Sequence, residues 1–198
     1  MTNENFSAEQ SLQVIQSMIE KAKNQFSENG HLYLLWGWVI FISSIGQFIL
    51  LNIVHYEYHY LVWFLPWIAV IYQFIYLAKK NKQKKVTTYT DFIMGFVWMT
   101  FFILMILFAL ILGREMGSSF HKLVCPVSLA LYGMPTLLSG IILRFKPLIA
   151  GAIGCWLLSI GSLYIPYDYQ ILFLSAAMVI AWIIPGYILR HKYQQQKD

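Results

Sequence analysis

Long apolar runs separated by short polar connections make up the chain after its polar N-terminal stretch. Six of these runs are close to the roughly 20 residues that a helix needs to cross about 30 Å of hydrocarbon. They cover residues 32–53, 60–78, 92–112, 123–143, 147–164 and 171–189. Because a helix satisfies its own backbone hydrogen bonds inside lipid, we predict an all-α protein, an integral membrane bundle of six transmembrane helices, here called spans one to six.

Residues 1–30 form a polar arm whose apolar side chains recur at helical spacing. These side chains are Leu12, Ile15, Ile19, Ala22 and Phe26, at intervals of 3, 4, 3 and 4, and they align along one face of a helix. Such a narrow apolar face does not stabilise a short helix alone in water. We therefore expect a cytoplasmic amphipathic helix that lies on the membrane, docks beneath the bundle or pairs with a second copy.

The basic residues are unevenly distributed over the connections between the spans. If the chain crosses six times, only Arg114 and Lys122 of the 14 Lys and Arg fall on the side opposite the N-terminus. Lys and Arg in short loops are retained on the cytoplasmic side, so we predict that both termini are cytoplasmic. The chain then consists of the arm (1–30), a six-span membrane domain (31–189) and a basic cytoplasmic tail (190–198). We attribute the net charge of +5 of the whole chain to basic residues retained on the cytoplasmic side, and not to nucleic-acid binding.

The interior of every predicted span lacks charged residues. The chain is 59% hydrophobic and 12% charged, and its nine Asp and Glu lie in connections or at span ends. Proton pumps, ion-coupled transporters and many intramembrane hydrolases depend on charges buried in the membrane. No phosphate-binding loop, dinucleotide fingerprint, nucleophile elbow or Cys-x-x-Cys motif is present. We therefore predict no catalytic residues, and we disfavour an enzyme without excluding one.

Polar side chains inside the spans allow a pocket to be considered. A pocket for a neutral or amphipathic ligand among spans one, four, five and six would be lined by Ser43, Gln47, Ser128, Ser159 and Ser175. The alternative is that these groups form hydrogen bonds between helices, each contributing about 0.6 kcal/mol.

Small residues distinguish span five from its neighbours. Ala150 with Gly154 and Gly151 with Cys155 have the small-xxx-small spacing, which lets another helix approach closely. We therefore predict span five at the centre of the bundle. Span three carries many Phe and Met side chains, and we predict that it faces lipid.

The connection between spans one and two contains His55-x-Glu57-x-His59. If this segment is helical, His55 and His59 share a face at i and i+4 and could bind Zn²⁺ or another transition metal on the outer face. The spacing differs from the His-Glu-x-x-His of metalloproteases. An interfacial loop anchored by amphipathic His and Tyr side chains explains the same residues. We predict no other cofactor.

A lysine run follows span two, at Lys79, Lys80, Lys82, Lys84 and Lys85. Each basic residue close to an anionic leaflet contributes about 1 kcal/mol to lipid contact. Recruitment of an acidic protein partner is the alternative. The lysine run and the apolar face of the arm together form the predicted surface for contact with lipid or a partner.

The arm and the start of span one also carry a distinctive set of short residue patterns. It consists of Glu9-Gln10-Ser11-Leu12, Met18-Ile19, Ala22-Lys23, Gly30 and Leu34-Leu35-Trp36-Gly37-Trp38. Over roughly the first 50 residues this pattern resembles the start of a group of small bacterial multi-span membrane proteins. The resemblance implies a bacterial inner membrane and no established activity, and it supplies no catalytic or binding residues.

These features favour a non-catalytic inner-membrane protein with a regulatory or accessory role. It would contact the bilayer, anionic lipids or a protein partner through its arm and basic loops, and a second copy of the chain is one such partner. One alternative is a small transporter or ligand-binding sensor that uses the pocket described above. A second alternative is a metal-dependent activity at His55 and His59.

Overall fold

A computed structural model describes residues 30–83 and 89–195, without the side chains of residues 80–83 and Ser118. Within these ranges the chain is helical and has no strand. The α-helices are α1 His31–Asn52, α2 Leu65–Gln83, α3 Tyr89–Met116, α4 His121–Ile142, α5 Lys146–Ser162, α6 Tyr167–Met178 and α7 Ile184–Gln195. Two 3₁₀ segments, His59–Phe64 and Gly117–Ser119, precede α2 and α4, and a π-helical segment, Val179–Ile183, joins α6 to α7 without a break.

The helices account for the six predicted spans, with α6, the π segment and α7 together forming the sixth. Five of these units are long and apolar enough to cross a membrane by length and composition, and α5 is a shorter apolar helix of 17 residues. The predicted all-α bundle is therefore confirmed, and its helices suit a multi-pass membrane protein. The arm, residues 1–29, lies outside the described residues, and its helix stays a prediction.

The bundle has two ends that differ in chemistry. At the basic end, α1 begins against α7, and a Cβ on Gly30 would lie 2.6 Å from the carbonyl oxygen of Gly186. The Lys192 ammonium lies 5.3 Å from the centroid of the Phe145 ring, next to the start of α5. The opposite end, called the histidine end below, carries His55, His59 and His121 in or beside its connections.

Burial is unequal among the helices, and α2 and α3 lie at the edge of the bundle. In the most apolar 18-residue window of each unit, 56% of the residues are buried in α4 and in the α6–α7 unit, and 33% in α1. The corresponding value is 6% in α3 and in the unit formed by α2 and its 3₁₀ segment. Span three is thus largely exposed, as predicted, and we call the α2 and α3 side of the bundle the exposed edge.

The prediction that span five lies at the centre was wrong. One face of α5 buries Gly151 and Cys155, whereas its opposite face exposes Leu157 and Ile160. The small residues do allow close approach, because a Cβ on Gly151 would lie 2.6 Å from the Cα of Ala181. Small residues mark one contact face of a helix and carry no information about the other face, which explains the error.

A proline explains the π-helical segment in the sixth unit. Pro185 has no N–H to donate to the Ala181 carbonyl, and in a regular helix its ring would clash with that group. The segment ends instead with the Ile184 N–H bonded to the Val179 carbonyl, a wider turn. Gly37 of α1 faces the segment so closely that a Cβ there would lie within 3 Å of a side-chain carbon. The irregular turn is therefore packed tightly in the core.

Trp182 of the π segment lies in an aromatic core between the helices. Its ring packs edge-on against Trp98 at a centroid distance of 5.3 Å and against Tyr132 at 5.4 Å. Phe101 packs on both of these rings. The Trp182 indole N–H donates a hydrogen bond to the Thr136 hydroxyl at 3.1 Å. These contacts fix α3, α4 and the sixth unit relative to one another.

Candidate functional site

Gln47 lies in a polar cluster near the histidine end of α1. Its side chain is 4% exposed, and its Oε1 accepts a hydrogen bond from the Trp63 indole N–H at 2.6 Å. Its Nε2 lies 3.2 Å from His59 Nδ1 and 3.2 Å from the Tyr167 hydroxyl. The His121 ring packs against the Tyr167 ring at 5.2 Å. These five residues, the Gln47 cluster, tie α1 to the 3₁₀ segment before α2 and to the starts of α4 and α6.

Trp63 fixes the orientation of the Gln47 amide, because an indole N–H can only donate a hydrogen bond. With Oε1 turned to Trp63, the two Nε2 hydrogens are available to His59 Nδ1 and to the Tyr167 hydroxyl oxygen. His59 Nδ1 therefore accepts, and the neutral imidazole carries its hydrogen on Nε2. The amide uses both of its hydrogens within the protein, so the cluster acts as a brace between helices.

Two further serine contacts link helices within the bundle. The Ser44 and Ser175 hydroxyl oxygens are 2.6 Å apart and join α1 to α6. Ser159 donates a hydrogen bond to the Pro126 carbonyl at 2.7 Å and joins α5 to α4. Ser159 and Ser175 were predicted to line a pocket, and the structure places both of them, like Gln47, in hydrogen bonds between helices.

The remaining pocket residues are Ser43 and Ser128. Ser43 is fully buried, and its hydroxyl has no hydrogen-bond partner among the described residues, whereas Ser128 is half-buried. A groove of about 400 Å³ opens elsewhere, between α3 and α4, and Thr100 is the polar residue in its lining. The pocket among spans one, four, five and six stays a prediction.

The two histidines predicted to bind a metal do not share a helical face. His55 lies in the turn after α1 with a φ of 53°, and His59 begins the 3₁₀ segment. His59 Nδ1 is also bonded to Gln47. In residues 30–83 and 89–195, no group of three or more His, Cys, Asp or Glu is placed to hold a metal ion. The geometry fits the interfacial-loop alternative, and a metal here stays a prediction.

Most of the predicted contact surface for lipid or a partner lies outside the described residues. Lys79 is exposed near the basic end of α2, and Lys80 and Lys82 are described only as backbone of that helix. The residues outside the described ranges are Leu12, Ile15, Ile19, Phe26, Lys84 and Lys85.

Gln73 of α2 has fewer partners than Gln47. Its Oε1 accepts a hydrogen bond from the Trp36 indole N–H at 2.5 Å, which orients the amide as Trp63 orients that of Gln47. Within the described part of the chain, its Nε2 donates no hydrogen bond. The Gln73 side chain is half-buried against α1, and the next residue of α2, Phe74, is 70% exposed. Gln73 is therefore a partly satisfied amide on the exposed edge, where an unpaired polar group is costly in hydrocarbon.

Sequence reasoning missed the partners of Gln47. The direct partners Trp63 and Tyr167, and His121 packed on Tyr167, lie in three different segments: the 3₁₀ segment before α2, the start of α6 and the start of α4. None of them belongs to a recognisable motif. The available signal was that a lone amide near a span end needs hydrogen-bonding partners, and the connections at that end are rich in His, Tyr and Trp.

The fold and composition define the class of this protein as an all-helical bundle of the multi-pass membrane type. Comparison with known protein families, with curated proteins and with solved structures finds no match. Its function is therefore argued from its own residues.

Proposed function

We propose that this protein is a non-catalytic accessory or regulatory protein of a bacterial inner membrane, which binds a partner protein through its exposed edge. The basic end and both termini are cytoplasmic, and the histidine end faces outward. The arm and the lysine run contact anionic lipid or the same partner on the cytoplasmic side. The observation that supports the proposal is the partly satisfied Gln73 amide on the exposed edge.

The interior of the bundle and its edge differ in how fully their glutamine side chains are hydrogen-bonded. Inside, the Gln47 amide uses both of its hydrogens within the protein. At the edge, Gln73 has one hydrogen bond among the described residues, from Trp36, and lies on the poorly buried α2. Hydrogen bonds between membrane helices contribute about 0.6 kcal/mol on average and up to about 1.7 kcal/mol. A partner helix that offers an acceptor to Gln73 would gain such a bond, which lipid tails cannot supply.

Site-specific photo-crosslinking in native membranes tests this proposal. A photoreactive residue at Phe74, beside Gln73, should yield a discrete protein adduct. The same residue at Leu157, on the exposed face of α5, should yield lipid adducts only and serves as the matched control, since both side chains are strongly exposed. Adding Gln73→Leu should reduce the Phe74 adduct at least threefold by removing the bonding amide.

Two results would contradict the proposal. If Phe74 and Leu157 both yield lipid adducts only, the exposed edge faces lipid. If Gln73→Leu leaves a Phe74 protein adduct unchanged, the partner does not use the amide. Deletion of residues 1–29 in the Phe74 background then separates the two contact regions, because a shared partner requires the adduct to weaken.

The orientation has a separate test in cysteine labelling. A cysteine at Glu57, in the connection after α1, should react with a membrane-impermeant maleimide added to intact cells. A cysteine at Arg144, at the basic end, should react only after the membrane is permeabilised. Both native cysteines, Cys125 and Cys155, are buried and give little background. The reverse labelling pattern would overturn the proposed orientation.

A further inference from the structure

The last helix, α7, has two faces of different chemistry. One face is buried and packs into the bundle through Pro185, Gly186 and Leu189. The other face is exposed and carries Tyr187, Ile188, Arg190, His191 and Gln194. This second surface belongs neither to the Gln47 cluster nor to the exposed edge of α2 and α3.

The polar part of this surface carries uncompensated basic groups. Arg190 and His191 are both exposed, and within the described part of the chain neither side chain forms a hydrogen bond or an ion pair. The neighbouring Lys192 points differently and lies over the Phe145 ring. No described residue therefore occupies the guanidinium or the imidazole, and a guanidinium is well suited to bidentate phosphate contact.

The other part of the surface is apolar and lies deeper along the helix. Tyr187 is held in place by a hydrogen bond from the Trp38 indole N–H to its hydroxyl at 3.3 Å, and Ile188 is exposed beside it. At about 1.5 Å per residue, Arg190 lies about 5 Å beyond Tyr187 along the axis, toward the end of α7. The surface thus changes from apolar to basic over the depth of a lipid headgroup region.

We propose that this face of α7 is a binding site for one anionic phospholipid. Its phosphate contacts Arg190 and His191, with Gln194 as a further donor, and its glycerol and upper acyl chain pack on Tyr187 and Ile188. Charge complementarity requires an anion, and the adjacent apolar surface requires that the anion carry a tail. A soluble acidic segment would satisfy Arg190 and His191 but would leave Tyr187 and Ile188 uncovered.

The inference goes beyond the proposed partner function and rests on its orientation only for the leaflet that supplies the lipid. Native mass spectrometry of the full-length protein, titrated with phosphatidylglycerol or with phosphatidylcholine, measures binding in the absence of any partner. Failure of this experiment is therefore distinct from failure of the crosslinking experiment. We expect phosphatidylglycerol adducts to form at lower lipid concentration than phosphatidylcholine adducts.

Variants assign the adduct to α7. Replacing Arg190 and His191 together by Gln should weaken phosphatidylglycerol binding at least fivefold, since an Arg near the headgroups contributes about 1 kcal/mol, and should leave phosphatidylcholine binding unchanged. Tyr187→Ala should weaken the binding of both phosphatidylglycerol and phosphatidylcholine. Arg144→Gln is the matched control, because it removes the same charge at the same end of the bundle, and it should change binding less than twofold.

Three results would overturn the proposal. Binding of the Arg190 and His191 double variant within twofold of the parent would exclude the site. An equal loss in Arg144→Gln would show a general effect of net charge. Displacement of the lipid adduct by millimolar inorganic phosphate would show a soluble-anion site that does not need a tail. The substituted side chains are exposed, and circular dichroism of each variant checks that the fold is retained.

Discussion

Replacing Gln47 by Leu tests the brace at the histidine end. Leucine keeps a similar side-chain size and removes the carboxamide that contacts three groups from two other elements, the 3₁₀ segment before α2 and α6. The substitution leaves the Trp63 indole N–H, the His59 Nδ1 and the Tyr167 hydroxyl without their shared partner. We expect a loss of stability and no change in helix content.

The size of the loss follows from the contacts. Three interhelical hydrogen bonds at about 0.6 kcal/mol each amount to about 2 kcal/mol, or roughly a thirtyfold shift in the unfolding equilibrium. The Gln47 side chain is buried, but its partners are only half-buried, so water reaching the histidine end replaces part of what is lost. The value of about 2 kcal/mol is therefore an upper expectation.

Unfolding of the purified protein in mixed micelles of a mild detergent and sodium dodecyl sulfate, followed by circular dichroism, measures this loss. Ser159→Ala is the matched control, since it removes one interhelical bond, to the Pro126 carbonyl, and should cost about 0.6 kcal/mol. The reasoning fails if Gln47→Leu costs no more than Ser159→Ala.

The tautomer of His59 gives a second, independent check. The orientation of the Gln47 amide requires the neutral ring to carry its hydrogen on Nε2. ¹⁵N NMR of labelled histidine, with His59→Gln used to assign the signal, distinguishes the two tautomers at neutral pH. Observation of the Nδ1–H tautomer would mean that Gln47 does not donate to His59 and would refute the described network.

Two further predictions concern the packing of the sixth unit. Gly151→Ala should destabilise the bundle by about 1–3 kcal/mol, because the new Cβ would lie 2.6 Å from the Ala181 Cα. Gly95→Ala is the control and should be close to neutral in the same unfolding assay, because its Cβ would meet no other described part of the protein within 4 Å. Equal losses in the two variants would count against the close contact at Gly151. Trp182→Phe removes the hydrogen bond to the Thr136 hydroxyl and should cost at least about 0.6 kcal/mol, with the aromatic packing retained; no measurable loss would count against that bond.

The number and approximate positions of the helices could be predicted because they follow from hydropathy. The length of an apolar run and the turn residues between runs are local properties, and both are readable from the sequence. The placement of the helices relative to one another was not readable in the same way. Span five was predicted at the centre from Gly151 and its neighbours, yet α5 has an exposed face with Leu157 and Ile160. Such a difference is decided by the neighbours of each face, which lie far away in sequence.

The sequence predicted that polar side chains inside the spans could form hydrogen bonds between helices, but it did not predict which residues pair. The sequence indicated that Ser159 and Ser175 either line a pocket or bond between helices, and in the structure both form hydrogen bonds between helices. The π segment was not predictable from local spacing. Pro185 indicates only that a carbonyl loses its partner, and the glycines on other helices that allow a wider turn are recognisable only once the bundle is assembled.

The two glutamines of the apolar runs illustrate how this bundle separates internal bracing from recognition. In the sequence, Gln47 and Gln73 are equivalent, since each is the single glutamine of its apolar run, and each proves to accept a hydrogen bond from a tryptophan. The difference lies in the Nε2 groups. That of Gln47 reaches His59 of the 3₁₀ segment and Tyr167 at the start of α6, whereas that of Gln73, on the poorly buried α2, finds no acceptor among the described residues. Because no charge is buried in the apolar runs, unused hydrogen-bonding capacity is the remaining polar signal for a partner inside the membrane, and it points to α2.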